Sequence, residues 1–351
     1  MFPGGGYRRP KGNHNSILRI VFFDAIVGWS AALFFLSTWT AECYGAVGAR
    51  FSTATESTQT AVEKTRGGDE VRVAAKSAIV VDFDTGNVLW AKNPDKLTYP
   101  ASTTKMMTAI LALENIKNPS KKVRISKRAS STRYSPFTLK EGDKVSLEDL
   151  LKAALISSHN GAAVALAESV SGSVDDFVGL MNERAKEIGA QDTHFENPTG
   201  FDYTYPKHKS TARDLALITM YCLKNHLFRE IVGTRKDSIV VNGRKLSISN
   251  TNKLLRYDYV RGVKTGYTRN ARHCLVLFSN KGGRRLITVI LASTKDGIKS
   301  DALRLIDWIG THSPTVFSRL ALKTDYGTNS EAPDSDSAAT VRRNNPPHST
   351  G

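Results

Sequence analysis

Cysteine is scarce in this chain of 351 residues: Cys43, Cys222 and Cys274 are the whole supply. No C-x-x-C pair occurs and the eight histidines are scattered, which excludes the ligand spacing of a structural zinc site. So few thiols also exclude a framework of several disulfides. A Gly-rich phosphate loop between strand and helix is missing, as is a basic helix with interleaved aromatics, so nucleic acid is not an expected partner. There is no internal repeat. Acidic residues are in short supply as well: 33 Asp and Glu face 49 Lys and Arg, and the net charge of +16 favours an anionic surface such as a phospholipid headgroup layer or a cell-wall polymer.

What is present is ordinary globular composition, enough for one large domain or two smaller ones with a sizeable core. The N-terminus has the order of an export signal. Arg8, Arg9, Lys11 and Arg19 precede the apolar run "IVFFDAIVGWSAALFFLSTW", and small residues follow in "GAVGAR". Val47 and Ala49 suit the positions just before a cleavage site, with Arg50 opening the mature chain. Asp24 spoils the run as one membrane span, since a carboxylate near mid-bilayer costs about 2.5 to 3.5 kcal/mol. The alternative is an uncleaved anchor starting after Asp24, which would associate the protein with the inner membrane. Glu42 precedes Cys43 where a lipid-attachment signal carries a small residue, which argues against lipidation. After cleavage Cys222 and Cys274 remain, either as one bridge or as two buried thiols.

Composition divides the chain into 1–49, a signal peptide or anchor; 50–72, a Ser/Thr-rich linker; 73–312, one folded domain; and 313–351, a tail with too few apolar groups to offset its ordering entropy. Within the folded part, "KSAIVVDFDTGNVLWAKN" reads as two strands around the turn "DTGN". Helical signals follow in "STTKMMTAILALE" after Pro100, "SLEDLLKAALISSHNGAAVALAESV", "VDDFVGLMNERAKEIG" and "STARDLALITMYCLKNH". Ser146 and Asp149 open the second of these as a capping box. Strands return in "DSIVVNG", "KLSISNT", "RHCLVLFSN" and "RRLITVILAS", and the apolar-striped "DALRLIDWIG" closes the domain as a helix. Strands at both ends with helices between predict an α/β fold: one sheet assembled from both ends of the domain, with a helical lobe inserted.

In "PASTTKMMT", Ser102 and Lys105 stand three positions apart where a helix begins, so the amine lies within reach of the hydroxyl. A lysine accepts a serine proton only when neutral, which requires burial or positive neighbours. A helix start also offers unpaired N–H groups to a developing oxyanion. Alone, the pair reads as a helix cap and a solvated lysine. Two further stretches change the reading: "SHN", Ser158 to Asn160, and "KTG", Lys264 to Gly266, placed just before a predicted strand. S-x-x-K, S-x-N and K-T-G in this order are the signature of serine β-lactamases and penicillin-binding proteins.

Together with "VDFDTGNVLWAKNPDKLTYPASTTKMMTAILALE", "HFENPTGF", "HKSTARDLALI", "SNTNKLL" and "VKTGYT", the three motifs resemble the D-alanyl-D-alanine carboxypeptidase family, the low-molecular-mass penicillin-binding proteins of peptidase family S11. The resemblance covers about residues 73–312. It implies a β-lactamase/DD-peptidase-like α/β fold, an antiparallel sheet flanked by helices beside a mainly helical lobe, with no metal or cofactor. It also implies roles: Ser102 as acylated nucleophile, Lys105 as its base, Ser158 as proton relay to the leaving amine, and Asn160 as a holder of substrate backbone and of Lys105. Lys264 would supply positive potential and support Ser158; Thr265 would bind the substrate carboxylate; Gly266 belongs to the same substrate-binding strand. The amides of Ser102 and Tyr267 would form the oxyanion hole.

Several positions depart from the family pattern. His159 and Gly161 surround Asn160 where relatives carry a small residue and often Asp, and Arg272 stands where glycine is usual. In place of an arginine between the last strand and last helix there are only Lys295 and Lys299. His208 reads as structural. The resemblance therefore implies an exported serine D,D-carboxypeptidase of the periplasm or cell envelope, acting on peptidoglycan stem peptides and acylated by β-lactams. The alternatives are a D,D-endopeptidase on peptide cross-links and a non-catalytic envelope protein that binds wall peptides. A β-lactamase would need a deacylating Glu, for which Glu196 is the nearest candidate.

Overall fold

The run "SAIVVD" forms the strand β1 (Ser77–Asp82) and is buried on both faces, because it lies in the middle layer of the molecule. Ile79 and Val81 point into one hydrophobic core, while Ala78 and Val80 point into another. The computed structural model describes residues 71–115, 117–311 and 318–319. The expected signal or anchor, residues 50–70 of the expected linker, and the tail apart from 318–319 lie outside the described residues.

The remaining elements, in order, are β2 (Asn87–Lys92), a 3₁₀ turn (Ala101–Thr104), α1 (Lys105–Asn115), β3 (Lys122–Arg124), α2 (Lys127–Ser130), β4 (Lys144–Ser146), α3 (Leu147–Leu155), α4 (Asn160–Ser171), α5 (Val174–Glu187), α6 (Ala212–Cys222) and α7 (His226–Gly233). They continue with β5 (Lys236–Val241), β6 (Arg244–Ser249), a second 3₁₀ turn (Lys253–Arg256), β7 (Val260–Thr268), β8 (Arg272–Lys281), β9 (Arg284–Ser293), α8 (Gly297–Thr311) and β10 (Ser318–Arg319). The main sheet has the order β10-β2-β1-β9-β8-β7 and is antiparallel throughout. β1 pairs with β9 from Ser77↔Leu291 to Asp82↔Leu286, joining the two ends of the domain. Buried Asp301 on α8 reinforces that junction by accepting from the Ala74 and Ala75 amides (3.0 and 3.1 Å) and from Ser293 Oγ (3.0 Å). One face of the sheet packs on α8; the other carries the larger core, to which α1 and α3 to α7 contribute.

Several starts are fixed by their caps. Ser146, Ser173 and Thr211 each accept the amide of an Asp three residues on, at the N-termini of α3, α5 and α6. Four features differ from the sequence reading. β5 and β6 do not join the main sheet but form a second one, β3-β4-β5-β6. The long helical segment breaks between α3 and α4, where Ser158 takes φ 61°. The motif "KTG" lies inside β7 rather than ahead of a strand. Within the expected tail, Ser318 and Arg319 pair with β2. Cys222 and Cys274 are free, buried thiols.

Candidate active site

Ser102 sits in the 3₁₀ turn before α1, so the α-helix starts at Lys105 itself. The turn is held from below by its threonines: Thr103 Oγ1 donates to the Pro100 carbonyl (2.7 Å), and Thr104 Oγ1 meets His208 Nε2 (2.9 Å). His208 Nδ1 accepts from the Glu196 amide (3.0 Å), which places the ring proton on Nε2. Burial, helped by nearby cationic groups, pushes this histidine down to about 3, so it is a neutral structural hydrogen bonder. Two glycine backbones close on the turn from the sides. A Cβ at Gly200 would lie 1.8 Å from the Ala101 carbonyl oxygen, and one at Gly266 would lie 2.9 Å from the Ser102 nitrogen. Only residues without side chains let β7 and the 194–208 loop approach the serine this closely.

Lys105 is fully buried, and among the described residues it has no carboxylate partner. Its Nζ lies 2.9 Å from Ser102 Oγ, 2.7 Å from Asn160 Oδ1 and 2.8 Å from the Thr199 carbonyl. Burial first, and the charge of Lys264 second, hold its pKa well below the ordinary lysine value. A neutral amine has two N–H bonds and one lone pair. The Thr199 carbonyl can only accept, and Asn160 also presents an acceptor, since its Nδ2 is committed to the Arg133 and Tyr134 carbonyls (2.9 and 3.4 Å). Both N–H bonds are thereby used, and the lone pair is left for the Ser102 hydroxyl. The Thr199 carbonyl is itself aimed by Asn197, whose Oδ1 accepts from Thr199 N, Thr199 Oγ1 and Gly200 N at 3.0, 2.8 and 2.8 Å.

Lys264 repeats the pattern on the opposite wall. It is 1% exposed, and its Nζ donates to Ser158 Oγ (2.9 Å) and to the Thr265 carbonyl (3.0 Å). Burial pushes it down to about 7, so near neutrality it exists in both protonation states. Two buried lysines, each on a serine hydroxyl and neither paired with an acid, are an arrangement that structural roles do not call for. Between them runs a cleft of about 600 Å³ lined by Ser102, Ser158, Asn160, Thr251, Thr265, Gly266, Tyr267, Lys295 and Lys299, among others. Thr265 Oγ1 donates to Thr251 Oγ1 (2.6 Å), while Tyr267 stands 62% exposed against the His273 ring. β7 is the edge strand of its sheet, so alternate backbone groups are left unpaired by β8.

All eight residues singled out from the sequence therefore fall at this cleft or on its supporting walls. Thr199, Asn197 and Thr251 were missed. A backbone carbonyl carries no residue-type signal, although the turn-forming "NPTG" marks the loop that supplies it. The departures also find places. His159 caps α4, with Nδ1 accepting from the Ala162 amide (3.1 Å) and Nε2 donating to the Phe137 carbonyl (3.0 Å); burial and then Lys105 hold it near 4. Gly161 has no room for a side chain, since a Cβ would meet the Ala129 carbonyl at 2.5 Å. Glu196 is absent from the cleft lining.

A sequence profile of the family described as D-alanyl-D-alanine carboxypeptidase, peptidase S11, matches residues 59–295. The D-alanyl-D-alanine carboxypeptidase DacF of Bacillus subtilis is 39% identical over 246 residues, which is 68% of this chain and 63% of that protein. The D-alanyl-D-alanine endopeptidase of Pseudomonas aeruginosa is 32% identical over 255 residues, 71% of this chain and 81% of that protein. Among solved structures, the Streptomyces K15 DD-transpeptidase matches with a TM-score of 0.65 and 32% identity, over 69% of this chain and 98% of that one. The chain thus spans less than two thirds of the length of the Bacillus relative, and nearly the whole of the Streptomyces domain. The matched profile and the shared fold agree with the two lysine–serine pairs, and the chain belongs to the D-alanyl-D-alanine carboxypeptidase family of serine peptidases, family S11.

Proposed function

We propose that the protein is an exported serine D,D-carboxypeptidase that removes the terminal D-alanine from peptidoglycan stem pentapeptides. The observation that carries this reading is Lys105, fully buried with its pKa held well below the ordinary lysine value and its Nζ 2.9 Å from Ser102 Oγ. In the proposed reaction Lys105 takes the hydroxyl proton as Oγ attacks the carbonyl of the penultimate D-alanine. The oxyanion is received by the Ser102 and Tyr267 amides, donors whose individual loss costs roughly 100 to 1000 fold in rate in comparable sites. As the C–N bond breaks, Ser158 gives its proton to the departing amine and is resupplied from Lys264. Thr265, with Lys295 and Lys299 beside it, binds the carboxylate of the departing D-alanine. Water then hydrolyses the ester: Lys105, having returned its first proton to the Ser158–Lys264 pair, takes one from the attacking water and delivers it to Ser102 Oγ as the acyl–oxygen bond breaks.

A β-lactam acylates the same serine while its leaving group stays attached. The full chain should therefore be labelled covalently by a fluorescent penicillin, and Ser102→Ala should not. Equal labelling of that variant would remove Ser102 as nucleophile. The endopeptidase-named relative, matched over 81% of its own length, supports cross-link cleavage as the second reading. Incubation with monomeric and cross-linked muropeptides, read by chromatography, separates the two.

A further inference from the structure

The second sheet, β3-β4-β5-β6, turns one face inward and the other to solvent. Val123 pairs with Val145 and Val145 with Val241, and all three pack on the larger core. Partners in register share a face and neighbours along a strand alternate. The outer face therefore carries Lys122, Arg124, Lys144, Lys236 and Lys245, with Val240 and four serines among them. All five cations are exposed, and none has a side-chain hydrogen bond or ion pair with a described residue. The one carboxylate within these four strands, Asp237, alternates to the inner side and meets Lys152 of α3 at 3.2 Å.

Arg124 stands directly opposite Lys144, a like-charge cross-strand pair that is destabilising by itself. Lysines on the edge strands β3 and β6 would be explained as protection against edge-to-edge pairing, but Lys144 and Lys236 lie on the inner strands β4 and β5. Lys122, Arg124, Lys144 and Lys245 gather toward one end of a sheet about 15 Å wide, around Val240, which is 40% exposed. Such a set of unopposed cations calls for an anionic partner. None of these residues lines the catalytic cleft, and a short sheet face is flat. A flat cationic array around one apolar side chain matches a plane of anionic headgroups above acyl chains, whereas a single polymer strand gains most from a groove.

We propose that the outer face of this sheet docks on an anionic phospholipid bilayer. If residues 20–39 are kept as an anchor, the linker 50–72 holds the domain beside that surface; if they are removed, this face returns the domain to it. Lys236 pairs with Ser249, two residues and at most about 7 Å of chain before Thr251 in the cleft lining, so docking keeps the cleft near the bilayer. Nothing in this docking depends on the chemistry proposed for Ser102.

Flotation of the full chain with vesicles of phosphatidylcholine, pure or with an equal part of phosphatidylglycerol, tests it. The ratio of the two affinities cancels what the apolar N-terminal run contributes to both. The wild type should prefer the mixed vesicles, and the preference should fade in high salt. In the triple variant Lys122→Gln, Lys144→Gln, Lys245→Gln the ratio should fall about 100-fold, near fivefold per cation lost from an anionic surface. Arginine at the same three positions keeps the charge and should keep the ratio. Lys117→Gln, Lys186→Gln, Lys224→Gln removes equal charge elsewhere and should change the ratio by less than about threefold. Thermal unfolding verifies that every variant is folded. Equal losses in both glutamine triples, a face variant with the wild-type ratio, or loss in the arginine triple overturns the proposal. Face-dependent binding to immobilised polyglycerol phosphate, without face-dependent vesicle binding, assigns the surface to a wall polymer and overturns it as well.

Discussion

Lys105 and Lys264 are both buried and both held on serine hydroxyls, yet the proposed chemistry asks opposite things of them. Lys105 must be without its proton to start the reaction, whereas Lys264 serves best while carrying one. Burial lowers both: Lys105 is held well below the ordinary lysine range, with Lys264 as the second cause, and Lys264 is pushed down to about 7. The acylation rate should fall on the acid side as Lys105 gains its proton. In Lys264→Gln that acid limb should move to higher pH, because the neighbouring charge that disfavours protonation of Lys105 is gone. Burial remains the larger cause, so the displacement is partial. Lys105→Arg should lower acylation by roughly 10² to 10⁴ fold, since a guanidinium stays protonated. Lys264→Arg keeps the charge and should retain measurable acylation. Stopped-flow acylation from about pH 5 to 10 decides these points: wild-type rates in Lys105→Arg refute its role as base, and an unmoved acid limb in Lys264→Gln refutes the coupling.

At the scale of elements, what was legible was whatever residue type encodes directly. Buried strands such as β1 and β9 announce themselves by unbroken β-branched runs, and α3 by its Ser146 cap. The break between α3 and α4 was hidden because "AALISSHNGAAVALA" carries apolar, helix-compatible residues on both sides of the short polar stretch 157–160, and one residue in the left-handed region is enough to turn the chain there. The separate sheet β3-β4-β5-β6 was hidden because β3 and β4 are three residues each, too short for a period-2 pattern. Of the site, the side chains were readable and their backbone partners were not. Arg272 shows the same limit from the other direction: it opens β8 at φ 59°, a conformation that favours glycine. Arg272→Gly should raise stability by up to about 1 kcal/mol, the relieved strain less the added chain entropy. Urea denaturation measures this directly, and a variant destabilised by as much would show that the arginine side chain outweighs the strain.

At the scale of the molecule, the site is divided between chain segments that lie far apart in sequence. Ser102 follows β2, Ser158 and Asn160 come from the helical lobe, and Lys264 lies on β7, whose place in the sheet is set through β8 and β9 to β1. Pairings between residues as far apart as Ser77 and Leu291 carry the largest loop-closure cost and should close late in folding. Chains arrested during synthesis with residues 284–311 still inside the ribosome should therefore fail to react with fluorescent penicillin, while those with residue 311 well clear should react. Labelling of the shorter chains would show that the serine is activated without β9. A growing chain that has already exposed Ser102 should thus be chemically silent until almost all of the folded domain has emerged. On the proposed reading, the strand pairing that joins the two ends of the domain would also act as its clock, keeping the serine out of play while the polypeptide is still being made.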